Sequence, residues 1–372
     1  MFLASYISGH GFGHASRQIE ILNALASRVP DLDVLLRTTV PRWLPDRTLS
    51  ARFSLVSSPP VDTGVVQIDS LHLDPRATIE CARDFYDRFD ERVNAEAALL
   101  RQRGVRLVLG DAPPLACAAA AAAGVPSVII TNFTWDWIYE EYREELSAAP
   151  SVIPTIQRAY AQADVAWRLP MYGGFASFKR VVDVPFVARH ARHGRDATRA
   201  HFGLALDRPV ALSSFGGYGV DHLDLHRLDC LNEWTILVTG KPDGRVPAGI
   251  RVIEDDEIYA HGFRYEDLVR ASDVVVTKPG YGIVSECLAN ERAIVYTSRG
   301  RFAEYYALVT AINQLLRNAY LSHEDLLAGR WLAALNAAHL ASAPADRPPT
   351  NGADVIADMI VDRLRIPDTG EP

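Results

Sequence analysis

Ser8-Gly9-His10-Gly11-Phe12-Gly13-His14 brings three glycines and two histidines into one short stretch. Glycine lets backbone N–H groups come close to a ligand, and imidazole is the side chain that accepts a proton near neutral pH. The stretch follows an apolar run at 2–7 that reads as a buried strand. It precedes a helical pattern over 16–27, with apolar Ile19, Leu22 and Leu25 on one face. Such a turn, backed by the positive end of a helix dipole, suits a polar ligand that must be held and deprotonated. It is not a dinucleotide fingerprint, because His14 stands where the third glycine belongs, nor a phosphate loop, because no Gly-Lys-Ser/Thr follows. The plainer alternative is a tight turn with solvated histidines.

Two more glycine-rich turns follow strand-like runs. Ser214-Phe215-Gly216-Gly217-Tyr218-Gly219 comes after 209–213, and Lys278-Pro279-Gly280-Tyr281-Gly282 after 273–277. Amides at Gly280 to Gly282 would open the helix 283–289 and suit a phosphate. Glu286, one turn into that helix, can accept two hydroxyl hydrogen bonds from a ribose. Alternatively, Ser285 and Glu286 do no more than favour a helix N-terminus.

These turns need a frame. Strands are expected at 2–7, 34–39, 53–57, 107–109, 128–131 and 164–169, with helices at 16–27, 78–103, 114–123 and 153–162. That alternation predicts a parallel sheet. The pattern weakens over 172–195, which ends in the basic run Arg189-His190-Ala191-Arg192-His193-Gly194-Arg195. It restarts with a helix at 196–202 and strands at 209–213, 235–239, 251–253, 273–277 and 293–297. Two doubly wound α/β halves facing a cleft are expected, a first domain over 1–190 and a second over 191–350. A last helix at 351–366 is expected to pack back on the first domain.

At 372 residues the chain is long enough for two cores. Its net charge of −8 argues against a nucleic-acid partner. Cys81, Cys117, Cys230 and Cys287 show no C-x-x-C spacing, which points to reduced thiols, a cytoplasmic setting and no zinc site. No run of eighteen apolar residues and no secretory leader is evident.

The three turns in this order resemble the GT-B glycosyltransferases, two-domain nucleotide-sugar enzymes that include the peptidoglycan N-acetylglucosaminyltransferase family. Residues 8–17, 131–139, 183–185 and 280–286 are similar to the amino-terminal, transferase-like domain of L-arabinokinases, and the resemblance runs over nearly the whole chain. No ATP loop of the kinase half follows, so kinase activity is not implied.

The resemblance implies a cleft with a base on one side and a nucleotide-sugar on the other. His14 matches the base and Asp111 the carboxylate that orients it; His10 is the competing base. Asp111 also has the alternative of a helix N-cap. Ser214, Gly216 and Gly217 match a diphosphate loop, with Gly280, Tyr281 and Gly282 beneath it and Ser285 and Glu286 beside the ribose. Glu304 and Tyr305 are placed at the donor sugar, Arg301 at the leaving diphosphate, and Phe263 in a base pocket over 260–264, a stretch whose alternative is a solvated loop. Gly11, Gly13, Asn132, Trp135 and Asp136 fall on the acceptor side, where the tryptophans of 135–137 either stack on a sugar or belong to the core.

The expected activity is metal-independent, inverting transfer of a sugar, with a uridine-based donor expected and no cofactor beyond the nucleotide-sugar co-substrate. The expected partners are a nucleotide-diphosphate sugar and a hydroxyl acceptor. Alternatives are a nucleotide-sugar 2-epimerase, a hydrolase or phosphorylase of the same fold, and a non-catalytic nucleotide-sugar-binding domain. The sugar, the acceptor and the oligomeric state are not legible in the sequence.

Overall fold

The computed structural model describes residues 1–216, 220–241 and 245–365. Strands β1 (Phe2–Ile7), β2 (Asp33–Arg37) and β3 (Arg52–Val56) begin a first sheet. A short antiparallel ribbon, β4 (Val66–Gln67) and β5 (Leu73–Asp74), then leaves it. β6 (Leu107–Asp111), β7 (Ser127–Phe133), β8 (Val165–Gly173) and β9 (Val181–Asp183) complete the sheet in the order β3-β2-β1-β6-β7-β8-β9. The second sheet holds β10 (Val210–Ser214), β11 (Thr235–Thr239), β12 (Ile250–Ile253), β13 (Val274–Thr277), β14 (Ala293–Tyr296) and β15 (Asn318–Tyr320). Their order is β12-β11-β10-β13-β14-β15, and every pairing in both sheets is parallel.

The strand runs explain the parallel arrangement. Val128-Ile129-Ile130 and Val274-Val275-Val276 are buried on both faces, as strands covered by helices above and below must be. In each sheet the winding direction reverses beside the first strand, between β1 and β6 and between β10 and β13. Ligands of such sheets bind outside the carboxyl ends of the strands at that reversal. The turns after β1, β10 and β13, and the end of β6 at Asp111, all lie there.

Helix Gly352–Arg365 returns to the first sheet's side, where it packs on helix Phe12–Arg28. Arg28 pairs with Asp354 and Asp358, and Arg363 with Asp164. Among the described residues no helix is long and apolar enough to cross a membrane.

Several boundaries differ from the sequence reading, each for a local reason. The first helix starts at Phe12 rather than at 16, because Gly11 at φ 79° serves as its N-cap. The last three residues of the glycine stretch, Phe12 to His14, are therefore helix. The helix expected over 78–103 is two, Pro75–Tyr86 and Phe89–Gln102. The first starts earlier because Asp74 caps it, accepting from Ala77 N, ahead of Pro75. The ribbon and the helix Glu304–Leu315 were not read from the sequence.

Candidate active site

The helices that carry the first and third turns both begin on glycine, Gly11 for Phe12–Arg28 and Gly280 for Tyr281–Ala289, and neither has a side-chain cap. Their first N–H groups therefore lack helical acceptors. The two turns meet face to face: a Cβ placed on Gly282 would lie 3.6 Å from Gly13 Cα. Between them is a cavity of about 190 Å³, lined by both turns and by Arg17, Gln67, Asn132, Ser214, Gly216, Arg299 and Glu304.

His14, in the first turn of its helix, points at the end of β6, with Nδ1 3.0 Å from Asp111 Oδ1. Asp111 is fully buried and is followed by Ala112 at φ 69°, a left-handed residue that swings the chain away from the strand. The Asp111 side chain does not cap helix Pro114–Ala123, whose N-cap is Pro113. Arg17, three residues after His14 on the same helix face, takes the carboxylate as well. Its Nε donates to Asp111 Oδ2 at 2.8 Å, and its Nη2 contacts Oδ1 and lies 3.0 Å from His14 Nδ1. Burial opposes the charge on Asp111, but Arg17 and His14 outweigh it and hold its carboxyl below the usual range. His14 lines the cavity, and its Nε2 has no hydrogen-bond partner among the described residues.

A second chain of contacts crosses the cleft. Arg17 Nη1 donates to Asn132 Oδ1 at 2.6 Å, and Asn132 Nδ2 donates to Glu304 Oε1 at 2.8 Å. Arg299 Nη1 donates to Glu304 Oε2 at 3.0 Å, and its guanidinium lies 4.0 Å from the centre of the Phe302 ring. His10 is turned aside from His14. Gln67 Nε2 lies 2.9 Å from His10 Nε2, so that nitrogen accepts, and the ring packs against Trp135 and Phe302. Burial and the positive charges of Arg299, His14 and Lys278 push the His10 pKa well below its ordinary value.

A larger cavity of about 520 Å³ opens beside the first, lined by Ser214, Gly216, Gly282, Glu286 and Tyr265 together with residues 238–240 and 258–259. Tyr265 Oη donates to Ser214 Oγ at 2.6 Å. Glu286 accepts from Arg189 Nε at 2.7 Å, and Arg189 also reaches Glu266 at 3.3 Å. One guanidinium shared by two buried acids compensates neither fully. Burial, with Glu266 and Glu20 nearby, pushes Glu286 up to about 7 although Arg189 opposes it.

Not every expected residue reaches these cavities. Phe263 does not: its ring is sandwiched between His193 and His201 at 4.1 and 4.2 Å, filling the gap beside helix Arg195–His201. The wall of the larger cavity is formed instead by 238–240 and 258–259. Arg301 turns out to the first half, donating to Glu141 O at 2.7 Å, and Arg299 takes the inward place. Tyr305 packs beside Tyr306 and lines neither cavity. Trp135 is core, 0% exposed, with its Nε1 donating to buried Asp62 at 3.0 Å. Asp136 accepts from Ser177 at 3.1 Å, also away from the cavities. Ser285 is buried and donates to Gly282 O at 2.9 Å, which braces the third turn. Gly217 lies outside the described residues.

Arg17, Gln67, Lys278, Arg299 and Arg189 were not singled out from the sequence, though all line a cavity. Arg17 carried a signal, because residues at i and i+3 share a helix face and His14 was already chosen.

No family model matches the chain. It is 30% identical over 366 residues, 97% of its length, to L-arabinokinase from Arabidopsis thaliana, and it spans about a third (34%) of that relative. Among solved structures it is similar to the glycotransferase of kitacinnamycin, with a TM-score of 0.61 and 17% identity over 97% of this chain and 98% of that one. It is likewise similar to CalG4, the calicheamicin glycosyltransferase, with a TM-score of 0.58 and 15% identity over 97% and 96%. The chain therefore has the GT-B fold, two Rossmann-like halves facing a cleft, and is similar over nearly all its length to one third of an L-arabinokinase.

Proposed function

We propose that the protein transfers a sugar from a nucleotide-diphosphate sugar to a hydroxyl acceptor by a single displacement with inversion. The observation that supports it most is His14, with Nδ1 against Asp111 and Nε2 left for a ligand, beside glycine turns at both sheet reversals. In this reading His14 Nε2 takes the acceptor's hydroxyl proton as the oxygen attacks the anomeric carbon. The bond from that carbon to the phosphate oxygen breaks on the opposite side. The amides of Gly280 to Gly282, with Ser214 and Gly216, receive the negative charge of the leaving diphosphate. Glu286 takes the ribose hydroxyls in the larger cavity. His10 is the poorer base, because Gln67 already occupies its Nε2. The donor is expected to be uridine-based and the reaction to need no divalent ion.

One observation favours a second reading, a nucleotide-sugar-binding domain without turnover. Arg17 already neutralises Asp111, so the carboxylate is shared rather than reserved for His14. The test is titration of UDP-, GDP-, dTDP- and ADP-sugars with and without EDTA, followed by turnover assays on wild type and His14→Ala. Transfer reads as binding by both proteins and a loss of about 10²–10⁴-fold in turnover for the variant. Binding with no product from wild type, over a broad acceptor panel, selects the second reading. Absence of any nucleotide binding removes both.

A further inference from the structure

We propose that Lys278 is the cation that anchors the donor's phosphate, and that it takes up a proton from solvent as the donor binds. The inference rests on the nucleotide-sugar reading and adds to it a cation other than Arg301, which the resemblance puts at the leaving diphosphate and which turns outward.

Lys278 stands between the end of β13 and the glycine turn that opens helix Tyr281–Ala289, and it lines the cavity shared by the turns. Its Nζ donates across the cleft to Gln67 Oε1 at 3.3 Å, and no carboxylate pairs with it among the described residues. Gln67 in turn meets His10. A neutral amide oxygen thus holds the ammonium at the mouth of a helix N-terminus, a position where a phosphate oxygen would bring full charge.

Arg299 gives an independent sign of a missing acceptor. It is 7% exposed and lines the same cavity, and its buried Nε has no hydrogen-bond partner. Buried polar atoms are almost always partnered, by protein or by ligand.

The charged and titratable groups around Lys278 come from three elements. Arg299 and Glu304 lie on the segment after β14, Asp69 follows β4, and His10 belongs to the first turn. Glu304 is already paired with Arg299, and Asp69 with His72 and the amides of Leu71 and His72. Burial and the repulsion of Arg299 outweigh both acids and bring Lys278 down to about 7. A dianionic diphosphate beside it reverses that balance, so the lysine is protonated in the complex over a range where it is part-neutral before binding. The sign follows. Below the free-protein value affinity is flat with respect to Lys278, and above it affinity falls with rising pH because each binding event consumes a proton. Glu286 works in the opposite sense, since its carboxylate forms as pH rises and favours a ribose.

The test uses the full chain and an intact nucleotide-sugar, UDP-glucose or whichever of GDP-mannose, dTDP-glucose and ADP-glucose binds best. Such diesters do not titrate near neutrality, so any proton belongs to the protein. Calorimetry from about pH 6 to about pH 9, in two buffers of different ionisation enthalpy, reads affinity and proton uptake together. Wild type is expected to take up close to one proton per donor at the alkaline end and to lose up to about tenfold in affinity per pH unit. Lys278→Arg, whose charge is permanent, is expected to bind without that fall. Lys278→Met is expected to bind no more tightly at any pH than wild type does at the top of the range, and without the proton uptake. Wild-type binding without proton uptake, a parallel fall in Lys278→Arg, or wild-type affinity in Lys278→Met overturns the proposal and leaves the nucleotide-sugar reading standing. No binding of any nucleotide-sugar by wild type overturns both.

Discussion

Asn132 and Glu304, 172 residues apart, meet across the cleft with Nδ2 donating to Oε1 at 2.8 Å. Each is buried and each continues the chain, Asn132 to Arg17 and Glu304 to Arg299. Both Glu304 oxygens are therefore engaged, so a donor sugar hydroxyl would have to share them. The contact joins the two halves through polar atoms rather than through the apolar core. A double-mutant cycle with Asn132→Ala and Glu304→Ala is expected to give a coupling of about 0.5–3 kcal/mol in urea unfolding. Strict additivity would mean that the two halves are held without it.

The Arg189–Glu286 pair raises a different question, because the carboxylate placed at the ribose is already held by the connection between the halves. Glu286→Gln is expected to weaken nucleotide-sugar binding by about tenfold, the scale of a hydrogen bond to a charged group, and to leave inorganic pyrophosphate binding unchanged. Pyrophosphate keeps the turns and lacks the ribose. Equal loss for both ligands would place Glu286 in the scaffold of the second half instead of at a ligand.

Trp135 separates core from site. It is fully buried, stacks on Tyr139 and gives its indole N–H to Asp62. Trp135→Phe removes that donor and leaves a buried carboxylate short of a partner, at a cost of about 1–3 kcal/mol. Thermal unfolding should record the loss, while the acceptor KM stays at its wild-type value once an acceptor is known. A raised KM in a variant of undiminished stability would return Trp135 to the acceptor side.

The frame was legible because its signals are local. Apolar runs such as 128–130, preceded by Gly124 and Pro126, and 274–276, followed by Pro279 and Gly280, identify buried parallel strands from sequence alone. The glycine turns were legible for the same reason, and with them His14, Gly280 and Glu286. Arg299 was not: the sequence reading puts Arg301 at the diphosphate, and only the packing against Phe302 and Glu304 turns Arg299 inward instead. Phe263 misled because an aromatic beside a strand end serves a base pocket or a core equally well. Gln67 sits on a two-residue strand, too short for any periodicity to reveal.

Arg17 carries the last expectation. It is 4% exposed and satisfies Asp111, Asn132 and Thr131 together. Arg17→Met leaves Asp111 buried with His14 as its remaining partner, and removal of one member of a buried pair costs about 3–5 kcal/mol. The pH dependence has a definite sign. The Asp111 carboxyl is depressed in the folded protein, so its contribution is present above the ordinary carboxylate pKa and is lost as pH falls through the folded value. Without Arg17 the folded value rises toward or above the ordinary one, because burial then dominates, and the loss of stability that Asp111 causes on acidification shrinks or reverses. The gap between the urea midpoints of wild type and Arg17→Met should therefore be wider at about pH 7 than at about pH 4, where protonation relieves the buried carboxyl in the variant. Two proteins of equal midpoint and equal acid dependence would show that Asp111 does not need Arg17, and would hand the carboxylate back to His14 alone.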